Sequence, residues 1–260
     1  MDLGIAGQKV LITGASQGIG AGLAQVFAEE GCAVYLVARS ADKLANVAAE
    51  LKSELNAQVE TLALDLTAPD AMERVVEFAG TPDILVNNAG AIPGGNLWQV
   101  DDAKWREGWE LKVFGYINMM RTFYPLMQER GSGVILNNIG NGGENFDFDY
   151  VCGTTGNAAL MAFTRAIGGR SMDHGIRVIG VNPGPVATDR IFKVLRTRAL
   201  DRYGTEDAAD ELTAAYPGGR IATVRETADM FAFLASPRSA YTSGTIITID
   251  GGITSRRAIG

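Results

Sequence analysis

Histidine and cysteine are almost missing from this 260-residue chain, which has one His and two Cys. Cys32 and Cys152 are too few and too far apart for a disulfide framework or a zinc site, so no metal centre is expected. They read as small core residues of a protein kept in a reducing compartment, the cytoplasm. His174 falls in Asp173-His174-Gly175, a helix-ending turn, and reads as structural. Its solitude removes Ser-His-Asp and Cys-His hydrolases in their usual form. Basic charge is also scarce: 23 Lys and Arg against 30 Asp and Glu give a net charge of -7, with no basic tract. A nucleic-acid partner therefore lacks its electrostatic footing. No apolar run reaches membrane-spanning length, so no membrane partner is expected. The start, Met1-Asp2-Leu3-Gly4, has no cationic stretch followed by an apolar one, so no signal peptide is visible. Apolar residues, by contrast, make up 47% of the chain, which excludes a disordered protein and supplies a core.

The most informative stretch is Thr13-Gly14-Ala15-Ser16-Gln17-Gly18-Ile19-Gly20. Before it, Lys9-Val10-Leu11-Ile12 reads as a buried strand; after it, Leu23, Val26 and Phe27 at helical spacing open a helix near Gly18. A strand, a glycine turn and a helix N-terminus make an anion site, because free backbone N–H groups and the positive end of the helix dipole converge there. Glycine lets the backbone approach a diphosphate and adopt positive φ. The glycines stand at 14, 18 and 20, which is not the G-x-G-x-x-G spacing.

Further along, strands alternate with helices. Strands are expected at 33–38, 59–64, 83–86, 134–138, 177–181 and 246–249, with a long helical stretch over 102–130 and a helix over 154–172. This alternation predicts a parallel sheet covered on both faces. With no linker, repeat or low-complexity segment, residues 1–260 read as one α/β domain. The expected architecture is a single-domain, Rossmann-like doubly wound fold with a seven-stranded parallel sheet. Ligands of such sheets lie beyond the carboxyl ends of the strands, at the switch point in strand order. Arg39 follows the second strand, where an acidic residue would hold a ribose diol; its planar fork suits a 2′-phosphate instead. NADP(H) is thereby favoured and NAD(H) is the alternative, as is a merely solvated Arg39. Asp65 either accepts from an adenine amino group or caps the following helix.

Five ordered motifs then converge: Thr13-Gly14 with Gly18-Ile19-Gly20; Asn87-Asn88-Ala89-Gly90; Gly175-Ile176-Arg177-Val178; Pro183-Gly184-Pro185-Val186-Ala187-Thr188; and Asp250-Gly251-Gly252. The chain resembles the short-chain dehydrogenase/reductase family over almost its whole length. The resemblance implies a hydride transfer between a nicotinamide cofactor and a small carbonyl or alcohol substrate. It implies that Gly14, Ser16, Gln17, Gly18, Ile19 and Gly20 cradle the diphosphate. Asp65, Leu66, Asn88, Ala89 and Gly90 would flank the adenosine, and Pro183, Gly184, Val186 and Thr188 the carboxamide end. It also implies a homotetramer, or a mixed oligomer with an active homologue.

The resemblance stops at the chemistry. The family uses an Asn, a Ser, a Tyr and, four residues later, a Lys. Aligning Asn157-Ala158-Ala159-Leu160 with the family's Lys-Ala-Ala-Leu puts Asn157 at the Lys, Gly153 at the Tyr and Gly140 at the Ser. Lys112, in Lys112-Val113-Phe114-Gly115, falls at the Asn. Placing Tyr150 at the Tyr instead leaves Thr154 at the Lys and loses the match at 158–160. Two readings follow. In one, the acid–base work has moved to Lys112 and Tyr150, with Asn138 or Asn141 bonding the substrate oxygen and the lysine ammonium lowering the tyrosine pKa. In the other, the protein is a catalytically silent dinucleotide-binding subunit or a redox sensor. A surface ion pair for Lys112 and simple aromatic packing for Tyr150 are the plainer alternatives. The segment at about 189–220 is read as a substrate lid. Arg190, Lys193, Arg196, Arg198 and Arg202 give it a cationic face that suits an acidic or CoA-linked substrate, unless it is only a solvated amphipathic helix.

Overall fold

The computed structural model describes residues 2–256; Met1 and residues 257–260 of the expected domain lie outside that span. The first strand, β1 (Lys9–Thr13), shows how the layers arise. Val10 and Ile12 point to one face of the sheet and Leu11 to the other, and all three are fully buried. A strand buried on both faces has to be covered by helices on both sides. Helices α1 (Gly18–Glu29) and α2 (Ala41–Leu55) cover the first face, where Leu23, Phe27 and Leu44 meet Val10 and Ile12. Helix α3 (Ala71–Ala79) lies on the second face, packing Val75 against Leu11.

The remaining strands are β2 (Ala33–Ala38), β3 (Val59–Ala63), β4 (Ile84–Asn87), β5 (Gly133–Asn138), β6 (Ile176–Pro183) and β7 (Thr245–Ile249). They form one seven-stranded parallel sheet in the order β3-β2-β1-β4-β5-β6-β7. The order reverses between β1 and β4, so the crevice that accepts ligands opens beside the Thr13-Gly14 turn and Asn87-Asn88.

The long helical stretch at 102–130 runs without interruption but is not uniform. Helix α4 (Asp102–Trp109) passes through a π turn at Glu110–Phe114 into α5 (Gly115–Arg130). Such turns gather at functional sites because they re-aim one side chain out of the helical register; here the central residue is Lys112. Helix α6 (Val151–Ser171) starts three residues before the position its periodicity suggests, with Tyr150 as its N-cap residue. The expected lid is helical: α7 (Asp189–Tyr203) and α8 (Ala209–Ala214). Helix α9 (Val224–Ala235) follows and packs on α1.

Two motifs turn out to be braces. Gly175 has φ +71°, and a Cβ there would sit 2.0 Å from the Gly131 carbonyl oxygen. Two residues on, the buried Arg177 donates to the carbonyls of Leu234 (2.6 Å), Ala235 (2.7 Å) and Ser236 (3.1 Å), closing the C-terminal end of α9. Asp250 accepts from Gly252 N (2.8 Å), from both Thr254 N (2.8 Å) and Oγ1 (2.6 Å), and from Asn141 Nδ2 (3.2 Å). These bonds hold its carboxyl below the usual aspartate range despite the opposing effect of burial.

Candidate functional site

The glycine turn opens on a cleft of about 490 Å³ at the carboxyl edge of the sheet. Its floor is tightly built. Gly14 has φ +66° and Gly18 φ +56°, and a Cβ on Gly20 would lie 2.1 Å from the Gly14 carbonyl oxygen. Gln17, the N-cap residue of α1, makes no side-chain cap, and the first turn carries no acidic residue. The first N–H groups of the helix are therefore left without a capping side chain. Asn88 locks this floor from the side: its Nδ2 donates to Thr13 O (3.0 Å) and Gly14 O (3.1 Å), while its backbone N–H donates to Thr13 Oγ1 (2.9 Å).

Most residues expected at the cofactor do line this cleft: Gly14, Ser16, Gln17 and Gly18 with Ile19 and Gly20, then Arg39 and Leu66. Asn88, Ala89 and Gly90 line it beside them, as do Pro183, Gly184 and Thr188. Thr188 stands opposite the turn, its methyl 3.2 Å from where a Gly18 Cβ would be, and it caps α7 by accepting from Ile191 N (3.4 Å). Two expected residues are not there. Asp65 lies between the lining residues Leu64 and Leu66, and its Oδ1 accepts from Thr67 N (2.9 Å) and Thr67 Oγ1 (2.8 Å), bonds that hold its pKa down; it closes a local turn rather than capping α3. Val186 is buried, and its backbone bridges to Ala222. Conversely, Ser40 and Lys43 line the cleft beside Arg39, and Lys43 Nζ donates to Gln17 Oε1 at 2.5 Å. Lys43 lies in the first turn of α2, just after Arg39 and the cap residue Ser40, a nearness in sequence that could have announced it.

At the other end the cleft is lined by Lys112, Asn138, Ile139, Gly140 and Arg190. Lys112 enters no ion pair among the described residues. Its stem packs on Gly90, where a Cβ would meet Lys112 Cδ at 2.9 Å, and its Nζ donates to the Ile139 carbonyl. Burial of the ammonium, and secondarily the charge of Arg190, push its pKa down to about 7. Asn138 is oriented by donating Nδ2 to Asn88 Oδ1 (2.7 Å), which leaves one amide N–H for another acceptor.

Tyr150 departs from its expected role. It does not line the cleft; its ring lies across Gly142 and Gly153, so that a Cβ on Gly153 would sit 2.0 Å from the ring carbon that bears the hydroxyl. Burial raises its pKa, opposed by the charge and hydrogen bonding of Arg190, and the expected lowering by a lysine ammonium is not found. Tyr150 thus occupies the space that a side chain at 153 would need. Arg190 reaches from α7 across to the β4 side, where its Nη2 donates to Ile92 O (2.9 Å). The sequence places Arg190 only on a cationic helix face; nothing local announces that it joins Lys112. Asn157 is buried beneath Gly140 and Gly142, and its Oδ1 has no hydrogen-bond donor. Among the described residues no cluster of His, Cys, Asp or Glu could hold a metal ion, and no helix is long and apolar enough to cross a membrane.

A family model described as Enoyl-(Acyl carrier protein) reductase matches residues 14–254. Among curated proteins, the Xenopus laevis dehydrogenase/reductase SDR family member 6 is 31% identical over 247 residues, covering 95% of this chain and 97% of its own. The Escherichia coli 3-oxoacyl-[acyl-carrier-protein] reductase is 31% identical over 257 residues, covering 95% and 97%. Among solved structures, the L-sorbose reductase of Gluconobacter frateurii, complexed with NADPH and L-sorbose, superposes with a TM-score of 0.92 at 33% identity, over 99% of this chain and all of its own. An actinorhodin polyketide ketoreductase with NADPH gives 0.90 at 30% identity, over 96% and 98%.

Proposed function

Starting from the chain's membership of the short-chain dehydrogenase/reductase family, to which it belongs, we propose that it is an NADP(H)-preferring oxidoreductase that interconverts a small carbonyl compound and its alcohol. Such a cofactor, when bound, supplies or accepts hydride at nicotinamide C4. The residues present fit it on two observations. The first N–H groups of α1 carry no capping side chain where Gly14 and Ser16 to Gly20 line the cleft, and the cations Arg39 and Lys43 line the same cleft beyond β2. The first N–H groups of α1 would hold the diphosphate, Thr188 the carboxamide end, and Arg39 with Lys43 the 2′-phosphate.

The chemistry is assigned to Lys112. With Gly at 140 and 153 and Asn at 157, none of these three positions can move a proton. Lys112 Nζ points into the same end of the cleft with two N–H bonds not engaged by Ile139, and its pKa near 7 lets it hold a proton or release one at neutral pH. In the reductive direction Lys112 donates its proton to the substrate oxygen as the carbonyl carbon receives hydride, while the spare amide N–H of Asn138 steadies that oxygen. Tyr150 keeps a positioning role beside Arg190. The observation that carries this reading is a half-buried lysine lining the cleft with no carboxylate partner among the described residues. NADPH oxidation against a panel of ketones and aldehydes tests it, with cofactor binding measured on the same sample. Tight binding without turnover on any compound would instead favour the silent subunit or redox sensor, a reading supported by the glycines at 140 and 153.

Arg39→Asp tests the 2′-phosphate assignment separately. One charge-assisted hydrogen bond is worth about 1.5–3 kcal/mol, so the ratio of NADPH to NADH affinity should fall at least about tenfold. An unchanged ratio in paired fluorescence titrations would remove Arg39 from the site.

A further inference from the structure

The substrate end of the cleft holds two cations, and among the described residues neither has a carboxylate partner. Lys112 donates to the carbonyl of Ile139 and Arg190 to the carbonyl of Ile92. Among the described residues no carboxylate pairs with them, although Arg198, two turns along the same helix as Arg190, is paired with Asp147 at 3.2 Å. The one carboxylate in the cleft lining, Asp189, is exposed and bonds neither cation. The two charges oppose each other, as the effect of Arg190 on Lys112 shows. Arg190 is exposed and Lys112 half-buried where they line one cavity, so their mutual repulsion is modest, and an anion entering between them would relieve it. Beyond its bonds to Ile92 O and Tyr150, Arg190 keeps further donors in a planar fork that matches a carboxylate.

We propose that the substrate is a keto acid, whose carboxylate is taken by the Arg190 guanidinium while Lys112 serves its carbonyl oxygen. This rests on the oxidoreductase reading above and names its substrate class. The reaction balances as a reduction: hydride from NADPH forms the new C–H bond, the proton of Lys112 forms the O–H bond, and the products are a hydroxy acid and NADP⁺. The lysine then regains its proton from water. The carboxylate between the two cations keeps Lys112 protonated until the oxygen takes the proton, and it fixes which face of the carbonyl meets the nicotinamide.

The test uses the full chain with NADPH and two matched pairs: 2-oxo-4-phenylbutanoate and 4-oxo-4-phenylbutanoate, each against its methyl ester. The wild type should prefer at least one acid over its ester in kcat/KM. In Arg190→Met that preference should fall at least about tenfold, the effect of losing one charge-assisted contact, and chiefly through KM; Arg190→Lys should recover part of it. An acid-to-ester ratio unaltered by Arg190→Met overturns the proposal. So does a variant that weakens NADPH binding by one common factor for every substrate, because the anion at Arg190 would then be the diphosphate of the cofactor. Should NADPH bind and no compound turn over, the oxidoreductase reading is what fails. Calorimetric titration of the two acids into the NADPH-loaded chain then decides the proposal alone: saturable binding lost in Arg190→Met supports it, and no binding in the wild type overturns it.

Discussion

Lys112→Met is expected to lower kcat for carbonyl reduction by about two to four orders of magnitude, the usual worth of a positioned acid, and to raise the melting temperature. The two effects share a cause. An ammonium drawn into the cleft with only the Ile139 carbonyl as partner, and with Arg190 as a like-charged neighbour, is held against its own solvation. Methionine keeps most of the stem that packs on Gly90 and removes the charge. The pH profile gives a second handle. Reduction needs the protonated lysine, so kcat/KM should fall as pH rises through about 7, and this limb should vanish in the variant. Stability runs the other way. The folded-state value of about 7 lies below the ordinary lysine value near 10.4. Between these values the unfolded chain binds more protons, so the wild type should gain stability as pH rises from about 7 to about 10. The variant should lack that gain. A variant with wild-type kcat and an unchanged pH profile would sink the assignment, whatever its melting temperature.

How much of this was readable in advance follows from the range of each interaction. The alternation of strands and helices, and the glycine turn, are local patterns, and local patterns dictate β1, α1 and the crevice between β1 and β4. The residues Gly140, Gly153 and Asn157 are equally plain on the page. What the linear chain hides is which residue fills the space beside those glycines. Tyr150 lies three residues from Gly153, yet only the approach of helix α6 to the Gly142 loop shows that its ring covers that glycine. Arg190 and Lys112 are 78 positions apart, and they line one cleft because Thr188, the cap of α7, stands against the glycine turn. The π turn that aims Lys112 has no sequence signature in Glu110-Leu111-Lys112-Val113-Phe114; it is a tertiary accommodation within one long helix. Asp65 shows the same limit: its position after a strand suits an adenine contact, but that Thr67 engages its Oδ1 with two donors is visible only in three dimensions.

Gly20→Ala should abolish cofactor binding more completely than any change at the catalytic end. The added methyl would lie 2.1 Å from the Gly14 carbonyl oxygen, 2.8 Å from its carbonyl carbon and 2.6 Å from Asn88 Nδ2, none of which is the free end of a flexible chain. Asn88 cannot step aside, because the same Nδ2 holds Thr13 O and Gly14 O while its Oδ1 accepts from Asn138. The strain must therefore open the turn, pulling the Gly14 backbone away from the N-terminal end of α1. If two charge-assisted backbone bonds to the diphosphate are lost, at about 1.5–3 kcal/mol each, NADPH affinity falls by at least about a hundredfold. Gly169→Ala is the matched control. It sits in α6 with open space around its absent Cβ, so alanine there should leave affinity untouched and add up to about 1 kcal/mol of helix stability. Fluorescence titration with NADPH and thermal melts on both variants separate the two effects. Should Gly20→Ala bind NADPH as the wild type does, the diphosphate does not sit on this turn. The cleft would then have to take the cofactor by Arg39, Lys43 and Thr188 alone, and the orientation that brings nicotinamide to Lys112 would lose its anchor.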